Sequence, residues 1–292
     1  MKKSKATFFD VMNVTILIII AVACVYPFWN ILMVSISSAT SVLAAKVYLL
    51  PHGVNVDSYR YIFTTPRLNI AGSVYNSLLY TSTGGVFAVV LTYFTAYALS
   101  RKRLVGRRVV MLLFIFTYMF VAGLIPNYLI LSKLGFVNSR LVMIIPNAIN
   151  TFLLIIARSF LDSIPIEMEE SAFIDGANDF QIMLRIFMPI SIPVIATISV
   201  FYAIQIWNDF IDPLIYLSKD ALQPIQLVLY NLVLHPGANS PVLETIMTDQ
   251  MSVVPKNLEG AAIVLGMVPI MLIYPFAQRY FTKGILLGAV KG

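Results

Sequence analysis

The stretch 191–217 is largely apolar, yet its polar residues recur at a spacing able to hold a small solute. Tyr202, Gln205, Asn208, Asp209, Asp212 and Tyr216 fall on one face when laid out at about 100° per residue. Amides, carboxylates and phenols together supply donors and acceptors, which a solute rich in hydroxyl groups requires. The competing use of such residues is polar contact between helices. Trp207 points to the opposite face, where packing explains it. A smaller set, Asn147, Asn150 and Thr151, lies beside Pro146 and suits either role equally.

A second region carries charge. Between 158 and 190 the chain holds Asp162, Glu167, Glu169, Glu170, Asp175 and Asp179, against only Arg158 and Arg185. Pro165 stands near the start of a short helical pattern whose first turn is acidic, where the helix dipole favours acids. Gly176 suits the left-handed conformation that ends a helix. An apolar segment then runs through Ile186 to Pro189 and Pro193. The expected shape is helix, tight turn, helix.

Other chemistry finds no support in the residues. Cys24 is the one cysteine, and His52 and His235 lie far apart in sequence, so no metal site is expected. No convergent set of nucleophile and base stands out. No glycine-rich loop with Lys and Ser/Thr offers to cradle a phosphate, and no basic stripe with interleaved aromatics suggests nucleic acid, despite a net charge of +6.

Composition states what must position these residues. The 292-residue chain is 59% hydrophobic and 12% charged, where soluble domains carry roughly a quarter charged residues. A crossing helix needs about 20 mostly apolar residues, and six stretches qualify: 12–36, 74–99, 109–131, 141–160, 191–217 and 260–281. Ala21-Val22-Ala23-Cys24 faintly resembles a lipoprotein cleavage box, but the apolar run continues to Val34 and reads as an uncleaved first helix. Thirteen of the 20 Lys and Arg residues fall in the N-terminal tail, 101–108, 158–190 and the C-terminal tail, which places those segments and both termini in the cytoplasm. Arg101, Lys102, Arg103, Arg107 and Arg108 are given topology as their only task. The fold class is therefore an all-α polytopic membrane protein in a single transmembrane domain. The outer loop 218–259 is its longest connection. Within it Ala221–Leu234 is apolar but too short to span, and reads as a partly buried helix or re-entrant loop.

The acidic loop also resembles a known motif. Glu170, Ser171, Ala172, Gly176, Ile186 and Pro189 stand at the spacings of the EAA loop of ABC importer permeases, with Ser171 where that pattern often has Ala and Met188 where it has Leu. Gln278-Arg279-Tyr280-Phe281 and Gly288-Ala289-Val290-Lys291-Gly292, and Trp207-Asn208-Asp209-Phe210 with Pro213-Leu214, are similar to maltose-type carbohydrate permeases. Within that group the chain is similar to the branch handling complex oligosaccharides in Gram-positive bacteria.

That resemblance implies a type I importer permease in a bacterial plasma membrane, translocating an oligosaccharide. Its partners would be a second homologous permease, two cytoplasmic ATPases and an extracellular sugar-binding lipoprotein. ATP and magnesium would be bound by the ATPases and no cofactor by this chain. Glu169, Glu170, Ser171, Ala172, Asp175, Gly176, Ile186 and Pro189 would belong to the coupling loop. Tyr202, Gln205, Asn208, Asp209, Asp212, Asn147 and Asn150 would line the substrate path. The rivals are a permease for another solute, a stand-alone secondary transporter, for which internal repeats are missing, and a membrane enzyme.

Overall fold

The computed structural model describes residues 8–234 and 254–289. Helix dominates and no strand occurs among them. In lipid every backbone polar group must be satisfied within the chain, which favours helices. The contacts fall into two compact units. One draws on the chain up to Leu68 together with Leu229–Val268, and the other on Asn69–Val228 with the chain from Pro269 onward.

The first unit contains the helix Phe8–Ser35, 28 residues long and about 42 Å by the rise of 1.5 Å per residue. Its apolar side chains are exposed along most of its length, as expected of a helix facing lipid. Near its end Met33 and Val34 pack with Val42, Val47 and Val254. The helix Pro255–Ala289 closes on it where Gly260, Ala261 and Ala262 supply small residues. A Cβ on Gly260 would come within 3.3 Å of the Ile31 carbonyl oxygen, a close approach typical of helix pairs in membranes. The Asn257 amide donates to the Val34 and Ser37 carbonyls at 2.8 Å each.

The second unit is organised by a continuous helical run from Ile70 to Ser100. Ser82 and Thr83 donate to the Leu78 and Leu79 carbonyls, and the run widens into a π turn at Tyr80–Gly84. Such back-bonding competes with the regular ladder. Ala88, Tyr93, Ala96 and Tyr97 pack with Leu153, Leu154 and Ala157 from Thr151–Asp162 and with Ile198 and Tyr202 from Ile192–Asn208.

Three of the six expected spans differ from straight helices. The stretch 109–131 divides into Arg107–Met119 and Leu124–Lys133, bent by 116°, with Gly123 at φ +87° between them. In 141–160 the α-helix occupies only Thr151–Asp162. Pro146 lacks the N–H a helix would use, and the Asn150 side chain caps the helix by accepting from Phe152 N and Leu153 N. The stretch 191–217 begins at an 80° bend after Asp179–Ile190 and its helix ends at Asn208. The segment Ala221–Leu234 contains the ten-residue helix Ile225–Leu234, about 15 Å long and too short to span. Residues 235–253 of the outer loop, with His235, lie outside the described residues.

Candidate functional site

Helix ends build the polar cluster. Ile192–Asn208 stops at Asp209, whose Oδ1 accepts from Ile211 N at 3.1 Å and Asp212 N at 3.2 Å. These bonds satisfy the first two N–H groups of the short helix Ile211–Tyr216. Asp209 and Asp212 therefore do not continue one helical face with Gln205. The break nevertheless folds both back toward it. The Asn147 amide donates to Asp212 Oδ2 at 2.6 Å, and the Asn150 amide donates to Gln205 Oε1 at 3.3 Å.

Asn147, Tyr202, Gln205, Asn208, Asp209 and Asp212 all line a cavity of about 390 Å³. Gly84, Ala88, Met143 and Phe210 complete much of its wall. Tyr202 contributes its ring, because its hydroxyl is engaged internally. That hydroxyl accepts from Asn150 N at 2.8 Å and bonds Thr92 at 2.6 Å. Asn150 is outside the lining and serves as a helix cap. Tyr216 is also outside it, buried and stacked on Tyr128 with centroids 6.1 Å apart. Trp207 is buried and does not line the cavity.

The acidic loop takes the expected helix–turn–helix form. Glu167–Ile174 is a helix, and Gly176 turns at φ +83°. Asn178 then opens the next helix through a capping box with Gln181. Ala172 is buried, whereas Glu170, Ser171, Asp175, Gly176 and Pro189 are exposed. Ile186 packs against the core.

Two arginines outside the loop answer its excess of acid, and this corrects the purely topological task given to 101–108. Arg101 pairs with Glu169. It also donates to Ser100 Oγ at 2.9 Å and the Leu161 carbonyl at 3.2 Å, and lies 4.4 Å above the Phe187 ring. Arg103 reaches Glu169 at 3.3 Å, pairs with Asp179 and stacks on Phe173. The sequence signal was the imbalance itself, six acids against two bases within 158–190.

These bonds also sort the loops of the second unit. Arg101, at the end of Ile70–Ser100, holds the acidic loop. Near the other end Asn76 donates to the Ala221 and Gln223 carbonyls and Tyr80 to that of Leu222. The loops 101–106 and 163–178 thus share one end, and 217–223 lies at the other.

Residues 88–287 match the family described as the binding-protein-dependent transport system inner membrane component. The chain belongs to that family. It is thus a multi-pass membrane permease component of an ABC importer. It is 39% identical over 291 residues to the polygalacturonan/rhamnogalacturonan transport system permease protein YtcP of Bacillus subtilis, covering 99% of this chain and 100% of that one. To the inner membrane ABC transporter permease protein YcjP of Escherichia coli it is 28% identical, covering 91% of each. Among solved structures it is similar to a chain of a bacterial ABC transporter involved in the import of the acidic polysaccharide alginate, with a TM-score of 0.86, 33% identity and coverage of 94% and 96%.

Proposed function

We propose that this chain, acting as one transmembrane permease domain, carries an oligosaccharide across the plasma membrane by alternating access driven by ATP hydrolysis in partner subunits. The observation that carries the reading is the cavity. Two amides and a carboxylate around Ile192–Asn208 (Gln205, Asn208 and Asp209) meet Asn147 and Asp212 around about 390 Å³. Such a volume falls in the range of small-molecule sites, and its polar groups match sugar hydroxyls. The relatives named for sugar polymers agree with this cargo.

The chain crosses the membrane six times with both termini inside. The spans are three long helices, the two bent pairs each serving as one span, and 141–160, with its helix Thr151–Asp162, as the sixth. The cytoplasmic loop 161–190 docks on an ATPase subunit, with Glu170, Ser171, Asp175 and Gly176 on its open face. ATP and magnesium belong to two such ATPases. A second permease and an external sugar-binding lipoprotein complete the importer, and the Bacillus relatives favour a Gram-positive host.

The test is purification of the tagged chain from its host membrane. A second permease and an ATPase should accompany it, and oligosaccharide with the binding protein should stimulate ATP hydrolysis severalfold. A chain that purifies alone and moves sugar unaided would overturn the reading.

A further inference from the structure

We infer that the cavity wall supplied by this chain favours an uncharged saccharide over a uronic acid, with Asp209 and Asp212 as the specificity-determining residues. This rests on the cavity being the sugar path. Asp209 and Asp212 both line it, and adjacent to them stand the amides of Asn147, Gln205 and Asn208. Among the described residues of the lining none is basic. The two carboxylates are held as neighbours, since Asp209 Oδ1 accepts the Asp212 N–H at 3.2 Å.

A sugar hydroxyl satisfies this wall in both directions, donating to a carboxylate and accepting from an amide. A uronate carboxylate only accepts. Beside Asp209 or Asp212 it meets a like charge, and no described group of the lining carries the compensating cation. Like-charge repulsion inside a partly enclosed site exceeds that in bulk water, and rejecting the wrong partner is as effective for selectivity as attracting the right one. A neutral cargo would set this importer apart from the relatives named for polygalacturonan and alginate.

The experiment uses the complete complex of both permeases and both ATPases, without the binding protein, so that the permeases alone select. Binding of neutral tetrasaccharides and of a tetragalacturonide is measured on the wild type and on Asp209→Asn and Asp212→Asn. Asn keeps an acceptor at 209 for the Ile211 and Asp212 N–H groups and at 212 for Asn147. The best neutral sugar should bind about tenfold or more tightly than the uronide, and each variant should narrow that gap severalfold. Equal or tighter uronide binding by the wild type, or a gap that neither variant changes, would overturn the inference. Binding of neither class would instead remove the sugar path itself, and the inference with it.

Discussion

Arg101 pairs with Glu169 across 68 residues of sequence, and each is only 8% exposed. The pair joins the end of Ile70–Ser100 to the helix of the acidic loop. Removing Arg101 leaves the buried Glu169 with Arg103, at 3.3 Å, as its remaining cation, so the loss should fall below the roughly 3–5 kcal/mol of a buried pair broken outright. Arg101→Ala should therefore loosen the loop, with uptake falling more than ATP hydrolysis does. Arg101→Lys keeps the charge but loses the forked geometry, and should restore uptake in part. The ratio of sugar moved to ATP consumed reads the difference. An unchanged ratio in Arg101→Ala would show that the pair stabilises without transmitting motion.

Gly176 offers a cleaner test of the loop. An added Cβ would meet nothing within 4 Å, so the obstacle to substitution is its φ of +83°, which costs a residue with a side chain about 1–2 kcal/mol. Gly176→Trp should leave the chain in the membrane and abolish uptake. Gly106, at φ +81° and equally uncrowded, is the control. Gly106→Ala carries the same backbone strain and should retain most uptake. If both variants lose uptake alike, backbone strain alone explains the effect.

The shape of the acidic loop was largely legible in the sequence, because local rules decide it. Pro165, the acids of the first turn, Gly176 and the acceptor Asn178 each act within a few residues of themselves. Arg101 was legible only as a surplus of acid awaiting cations, since nothing local tells which arginine closes the distance. The polar lining of the cavity was legible in most of its members, Asn150 and Tyr216 standing outside it, and not in its geometry. Helical periodicity put Asp209 and Asp212 on the face of Gln205, whereas Asp209 accepts from the first N–H groups of a new helix and ends the old one. The bend at Gly123 and the unwound approach to Asn150 follow the same logic, being settled by caps and Pro146 that hydropathy averages away.

Sidedness is checked by thiol labelling. In a Cys24→Ser background, Val105→Cys, at a residue 95% exposed, places a thiol in the basic loop, and Leu134→Cys places one between the expected spans 109–131 and 141–160, outside by alternation from 101–108. An impermeant reagent on intact cells should label 134 and leave 105 untouched. Labelling of 105 alone would invert the topology.

The path itself predicts graded losses. Asn208→Ala removes a hydrogen-bonding group from the lining, at about 1 kcal/mol per bond to sugar, so uptake should fall severalfold without loss of assembly. Asp209→Ala should do the same and also cost roughly 1 kcal/mol of stability as the acceptor for the first N–H groups of Ile211–Tyr216 is lost. Trp207→Phe, at a buried residue that does not line the cavity, should leave uptake nearly unchanged. Normal uptake by both polar variants together with failure of Trp207→Phe would mean the helix faces the other way.

Sugar accumulation in sealed vesicles tests the central claim most directly. The complete importer is reconstituted with its binding protein, and labelled oligosaccharide is followed with ATP supplied to the ATPase side. The account predicts accumulation above the external concentration that requires ATP, requires this chain and disappears in Gly176→Trp. Accumulation that persists without ATP, driven by an ion gradient through this chain alone, would contradict it.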